Sequence, residues 1–195
     1  VKGEREAGIA AFTGDGQNPV VMEGAAKVIK ENGGMGIPTL KPWNLEVIRE
    51  KTELIKDAQP FAVAMDVDAA GLPFLKGLTP PAGGKTVQEL ADIIKTVNRP
   101  FIVKGIMTVK GALKAIEAGA SGIVVSNHGG RVLDQCPATA EVLPEIVDTV
   151  KGKVKIFVDG GIRSGTDIFK ALAIGADGVL IARPYVTAVY GGGEE

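Results

Sequence analysis

Cysteine and histidine are almost missing from this chain of 195 residues, which has one of each, Cys136 and His128. A lone cysteine cannot close an internal disulfide, and Cys136 is read as structural. The pattern fits a reducing compartment, so a cytoplasmic location is expected. No metal site is expected either. Long apolar runs are missing too: the hydrophobic stretches are short, broken by glycine, and fall below the roughly 20 residues of a membrane span. No secretory leader is recognisable. An excess of one charge is also lacking, since 22 Lys and Arg face 23 Asp and Glu and the basic residues are scattered. Neither nucleic acid nor a membrane surface is therefore an expected partner. With 45% hydrophobic and 23% charged residues, residues 1–195 read as one globular domain.

Glycine, by contrast, is abundant, with 27 copies, and its placement is regular. Two stretches, Ile116-Glu-Ala-Gly-Ala-Ser-Gly-Ile-Val-Val-Ser126 and Ala173-Ile-Gly-Ala-Asp-Gly-Val-Leu-Ile-Ala182, repeat one unit. In each, an amphipathic helix (Val109 to Ala118, and Gly165 to Ile174) stops at a glycine able to take a left-handed cap, and a continuous apolar run follows. Runs without polar alternation read as parallel strands covered on both faces. Seven such runs occur: Ile9 to Thr13, Gly36 to Leu40, Phe61 to Val67, Phe101 to Val103, Gly122 to Ser126, Lys155 to Val158 and Gly178 to Ala182. Helical patterns fill the gaps at Val20 to Glu31, Leu45 to Lys56, Val87 to Thr96 and Ala138 to Val150.

Alternation this regular means a parallel sheet, rolled into a barrel or open and doubly wound. The polar residues favour the barrel. Asp68, Lys104, Ser126 with His128, Asp159 and Arg183 each stand just after a strand, and only a barrel gathers all those ends at one rim. The glycine-rich fingerprint that an open dinucleotide-binding sheet carries after its first strand is absent. The fold expected is a TIM (β/α)8 barrel, with its first strand expected upstream of Val1. The stretch Gly77 to Gly84 reads as a long loop where a lid would sit.

Chemistry concentrates in four places. The turn Asp159-Gly-Gly-Ile-Arg-Ser-Gly-Thr-Asp167 and the run Ala182-Arg-Pro184 suit a phosphate. Glycine backbone can approach the anion, a helix begins near Ser164 to Thr166, and Arg163 and Arg183 bring fork-shaped donors. In Ser126-Asn-His-Gly-Gly-Arg131, His128 can take a proton near neutral pH and Arg131 can hold a carboxylate in two hydrogen bonds. Lys104 follows an apolar strand and needs a negative partner in the barrel mouth. A redox ring that gains charge on reduction, a Schiff-base substrate and a neighbouring carboxylate all qualify. Asp66 and Asp68 are expected to face opposite ways, so that one of them enters the mouth and orients His128.

These segments, together with Ile102-Val-Lys-Gly-Ile106, Leu133-Asp134, Pro137-Ala-Thr139 and Leu143-Pro-Glu145, resemble the FMN-dependent 2-hydroxy acid oxidising family, which includes glycolate oxidase, lactate oxidase and flavocytochrome lactate dehydrogenases. The likeness is dense from Pro100 to Pro184. It implies an FMN-binding barrel in which His128 is the base, Asp68 its orienting partner, Arg131 the carboxylate clamp and Lys104 the cation beside flavin N1. It further implies that Ser126 contacts the ring, that Asp159, Gly161, Arg163 and Arg183 hold the ribityl phosphate, and that Thr13, Lys41 and Ala182 fall at flavin-contacting strand ends.

The activity implied is oxidation of a small, lactate-like 2-hydroxy acid to the 2-keto acid, with a small carboxylate as substrate and homo-oligomers as a further expectation. The electron acceptor stays open between oxygen, a quinone and a second protein. Three departures stand out. No second substrate arginine occurs in Ala69-Ala-Gly-Leu-Pro-Phe-Leu-Lys76, Pro38 stands where a strand tyrosine is expected, and Ala182 replaces a usual glycine. Competing readings are an FMN barrel of other chemistry, such as an isoprenoid diphosphate isomerase, a non-catalytic flavin-binding protein, and a flavin-free aldolase built on Lys104.

Overall fold

The computed structural model describes residues 1–79 and 81–193. After a short helix α1 (Lys2–Glu6), strands and helices alternate: β1 (Ala11–Thr13), α2 (Pro19–Glu31), β2 (Gly36–Leu40), α3 (Leu45–Lys56) and β3 (Val63–Asp66). A 3₁₀ turn over Val67–Gly71 and a one-turn helix α4 (Pro73–Lys76) lead to α5 (Val87–Val97). The pattern then resumes with β4 (Phe101–Ile106), α6 (Val109–Glu117), β5 (Gly122–Val125), α7 (Thr139–Val150), β6 (Lys155–Val158), α8 (Gly165–Ile174), β7 (Gly178–Val179) and α9 (Arg183–Gly192).

Local chemistry sets these boundaries. Asn18, Asn44, Thr108 and Ser164 cap α2, α3, α6 and α8 by accepting from first-turn N–H groups, and Thr86 with Glu89 forms a capping box on α5. At the other ends, Asn98 (φ 50°) and Gly175 (φ 124°) turn the chain out of α5 and α8. Four strands are shorter than the apolar runs that announce them. At β3, for example, Val67 already belongs to the 3₁₀ turn.

All seven strands are parallel and pair in the order β1-β2-β3-β4-β5-β6-β7. Sequential neighbours joined by outer helices make this a β/α barrel architecture, not a doubly wound sheet, whose strand order would reverse. Among the described residues β1 and β7 do not pair with each other, and the closed form of this barrel has eight strands.

Two apolar layers sandwich the sheet. The larger one fills the space between strands and helices with Met65, Phe101, Val103, Ile123, Val125 and Ile156 against Ile29, Ile48, Ile93, Leu143 and Ile146. The smaller one is the barrel interior: Phe12, Ile37, Ala62 and Ala64, Ile102, Val124, Phe157 and Leu180, drawn from all seven strand segments. Each buried Ile or Phe of these layers is worth about 1.5–3 kcal/mol. Side chains alternate along a strand, so these inner residues fix which later positions face inward.

Two local features control the mouth. The loop expected as a lid is tied down on both sides of Pro80, which lies outside the described residues. Leu78 packs on the core, Gly83 N–H donates to Pro42 O at 3.0 Å, and Lys85 Nζ donates to the same oxygen at 2.8 Å. On β4 the register slips between Lys104 and Ile106, because Gly105 takes φ +99°. A Cβ at Gly105 would lie 2.4 Å from Asp68 Cγ, so this bulge makes the room in which the Asp68 carboxyl sits.

Gly105→Ala is therefore expected to lower unfolding free energy by about 1–3 kcal/mol, from positive φ and the displaced carboxyl together, as read by urea denaturation. A second expectation concerns acid. Asp177 accepts from Ile156 N–H at 2.9 Å and Lys155 Nζ at 3.0 Å, and chiefly the Ile156 bond holds its carboxyl below the ordinary carboxylate range. A depressed folded-state value contributes stability above the unfolded value, near about 3.9, that is lost as pH falls through the folded one. Asp177→Asn should thus lower stability at neutral pH and flatten its fall between about pH 5 and pH 2, measured by urea titration at each pH.

Candidate active site at the barrel mouth

The polar rim is the inner face of each strand continued past the point where apolar packing ends. Thr39 and Lys41 share the face of Ile37, Asp66 that of Ala64, Lys104 that of Ile102, Ser126 that of Val124, Asp159 that of Phe157 and Ala182 that of Leu180. This alternation corrects one expectation. Pro38 lies on the helix side of β2, and its inward neighbours are Ile37 and Thr39. Asp66 and Asp68 do not face opposite ways: residues two apart share a face, and Asp68 continues inward on the 3₁₀ turn. Both belong to the mouth.

Charges pair around that rim. Lys41 Nζ, partly buried, pairs with the buried Asp66 Oδ2. Lys104 Nζ donates to Ser126 Oγ at 2.8 Å and pairs with Asp159 Oδ2 at 3.1 Å. The carboxylate partner expected for Lys104 is thus Asp159, and an ammonium held in an ion pair is a poor Schiff-base nucleophile. Burial, opposed by Lys41, pushes the Asp66 carboxyl above the ordinary carboxylate range.

His128 is brought in from the loop after β5. Its Nδ1 stands 3.1 Å from both oxygens of Asp68, an arrangement in which Nδ1–H donates and Nε2 keeps its lone pair. The backbone is forced to this place. His128, Gly129 and Gly130 all have positive φ, at 57°, 67° and 76°, a conformation that costs a non-glycine residue about 1 kcal/mol or more. His128 N–H donates to Ser126 Oγ at 3.2 Å, which ties the strained turn to the residue that also receives Lys104. Arg131 follows, exposed, at the end of this turn.

The phosphate-type turns lie beside it. Gly160 and Gly161 take φ of 93° and 79°, and nothing stands within 4 Å of a Cβ built on Gly161. Arg163 is exposed, and Ser164 caps α8 as expected. Asp167 already accepts from Arg163 N–H at 3.0 Å and Ser164 N–H at 2.9 Å, so those two backbone groups are not free for an anion. Arg183 opens α9, and its Nη2 lies 3.8 Å from a Cβ built on Gly129, which brings the last strand's loop to the His128 turn. Thr13 does not join this set. It alternates with inward Phe12, so its side chain lies on the other side of β1.

These residues fit a flavin nucleotide. Two buried rim oxygens lack a partner among the described residues, Asp66 Oδ1 and Asp159 Oδ1, and both stand at C-terminal strand ends. Buried polar atoms need hydrogen bonds, and a ring with polar edges would supply them. Open glycine backbone with two arginines suits the phosphate.

The sequence did not expose the buttress beneath the rim. Asp15 is buried and accepts from Gly16 N–H (2.7 Å), Lys41 N–H (3.0 Å), Trp43 Nε1 (2.8 Å) and Lys51 Nζ (2.7 Å). Its one signal is position, in Thr13-Gly-Asp-Gly16 directly after a strand. A cavity of about 190 Å³ opens nearby, lined by Pro19, Trp43, Val47 and Leu54. It lies among helices and includes none of the rim residues.

The chain is similar to proteins of known activity. The chain is 56% identical over 96 residues to a peroxisomal (S)-2-hydroxyacid oxidase of Arabidopsis thaliana, covering 49% of this chain and 26% of that one. It is 52% identical over 107 residues to the glycolate oxidase of Spinacia oleracea, covering 55% and 29%. A mandelate oxidase variant solved with (S)-mandelic acid superimposes with a TM-score of 0.84 at 30% identity, covering 99% of this chain and 61% of that one. The chain thus spans less than two thirds of these relatives. The model of the FMN-dependent dehydrogenases, enzymes that use FMN as cofactor, matches residues 42–195. That match extends over most of the rim, from Asp66 to Arg183, and the chain belongs to the FMN-dependent dehydrogenase family.

Proposed function

We propose that this chain carries the flavin-holding and proton-handling part of an oxidoreductase that converts a small, lactate-like 2-hydroxy acid to the 2-keto acid. The observation that carries the reading is the His128–Asp68 pair, with Nδ1 held by both carboxylate oxygens and Nε2 left for substrate at the rim where Lys104 and Asp159 meet. The named activities of the relatives, on 2-hydroxy acids, glycolate and mandelic acid, support the substrate class.

Oxidising a secondary alcohol to a ketone removes two electrons and two protons. When bound, FMN would accept the two electrons together with one of the protons. His128 takes the other proton from the substrate through Nε2, while its Nδ1 stays held by the Asp68 carboxylate. Gly105 keeps that carboxylate in place. Arg131 is positioned three residues beyond His128 to hold the substrate carboxylate in two hydrogen bonds, which turns the carbon bearing the hydroxyl toward the imidazole. Lys104, anchored by Ser126 and Asp159, would offer a fixed positive charge to a flavin held at this rim. Gly160, Gly161, Arg163 and Arg183 would hold the phosphate.

The test is the anaerobic visible spectrum of the FMN-loaded protein before and after addition of L-lactate, with glycolate and mandelate in parallel. Bleaching of the flavin bands by one of these acids is the expected result. His128→Ala should keep the bands and slow bleaching by about 10²–10⁴-fold, the usual share of a general base. A His128→Ala protein that bleaches at the parent rate removes the imidazole from the mechanism, and bound FMN that ignores every 2-hydroxy acid removes the substrate class.

A further inference from the structure

Lys41 holds an ammonium that the fold leaves partly unused. It carries three N–H donors, and the acceptor they reach among the described residues is Asp66 Oδ2. Its side chain is 14% exposed, so bulk water gives limited relief to the remaining donors. An ammonium in such a place calls for a second acceptor. Lys104, the other inward lysine of the rim, is already engaged by Ser126 and Asp159.

The position is built with care. Lys41 follows Ile37 and Thr39 on the inward face, and its backbone N–H is pinned by Asp15, itself locked by Lys51 and Trp43. Both members of the Asp15–Lys51 pair are buried, and breaking such a pair strands a charge away from water, so the turn that presents Lys41 is stiff. Asp66, which holds the ammonium, lies two residues before Asp68, the partner of His128. Lys41 thus enters the mouth at the end of β2, while Arg131 follows β5.

We infer that Lys41, positioned by Asp66, is a second cationic anchor for the carboxylate of the substrate. The inference rests on reading the mouth as the site of a 2-hydroxy acid. Asp66 Oδ2 occupies one of the three donors of Lys41, which leaves the others available to an anion. A lysine is a point charge without the planar fork of arginine, so it adds attraction with little demand on the orientation of the carboxylate.

The experiment uses the FMN-loaded chain and two readouts: perturbation of the flavin spectrum by oxalate as a carboxylate probe, and KM and kcat for L-lactate. Lys41→Met/Asp66→Leu removes both charges, which avoids leaving one buried and unpaired, and Lys41→Arg restores a cation. The double variant is expected to raise the oxalate Kd and the lactate KM by about tenfold or more, with the loss falling more on KM than on kcat, and Lys41→Arg to stay within about threefold of the parent for oxalate. An oxalate Kd in the double variant within about twofold of the parent overturns the assignment. So does a loss confined to FMN affinity, which would give the pair to the cofactor instead. A parent chain that binds FMN and oxidises no 2-hydroxy acid overturns the proposed function while the oxalate titration still decides the role of Lys41; a parent that takes up no FMN overturns both.

Discussion

A parallel strand covered on both faces must present apolar side chains inward and outward for as long as it runs inside the barrel. Only at its C-terminal end does the inward face become free to carry polar groups. Phe157 and Asp159 show the change in two residues, as do Ile102 with Lys104 and Val124 with Ser126. The candidate site depends on this constraint throughout. Because the interior layer fixes the direction of each strand's last residues, side chains distant in sequence converge without long-range instructions of their own.

Bringing charges to the edge of an apolar interior is costly, and the rim meets the cost by pairing. Lys41 with Asp66 and Lys104 with Asp159 form two opposite-sign contacts, and the Asp68 carboxylate receives Nδ1 of His128. The pairing is incomplete in a consistent way. Asp66 and Asp159 each keep one buried oxygen without a partner, and the donors of Lys41 are not all used. A rim built only for stability would do better with apolar residues of the same size. The open valences point toward a ligand, and the strained left-handed backbone at His128 belongs to the same economy, since positive φ there is held in place by Ser126 and two following glycines.

The alternation of strand and helix was legible because it rests on local rules: glycine caps, capping residues and uninterrupted apolar runs. The stretches over β2, α3, β6 and α8 were bounded to the residue, while β7 shrank to Gly178–Val179. A strand exists only where it has a hydrogen-bonded neighbour, and β7 has one such neighbour, β6. The bulge at Gly105 was hidden for a related reason. Nothing in Lys104-Gly-Ile106 announces a positive φ until Asp68 from another strand occupies the space beside it. The Asp15–Lys51 pair, 36 residues apart, joins a loop to a helix and leaves no periodic trace.

By itself the sequence determined the architecture and the inventory of the site: strand ends carrying Asp68, Lys104, Ser126, Asp159 and Arg183, a single histidine in a glycine-rich turn, and paired arginines beside glycine backbone. Those features are local, and local patterning is what a sequence displays. The tertiary structure alone decided the pairings. It seated Nδ1 of His128 against Asp68, gave Lys104 to Asp159, turned Asp66 and Asp68 to the same side and moved Thr13 out of the site. It also made Lys41 an inward cation with donors to spare. Each of those outcomes depends on the register between neighbouring strands, where a shift of one residue reverses every side chain, and register is fixed only when both faces of the sheet are packed.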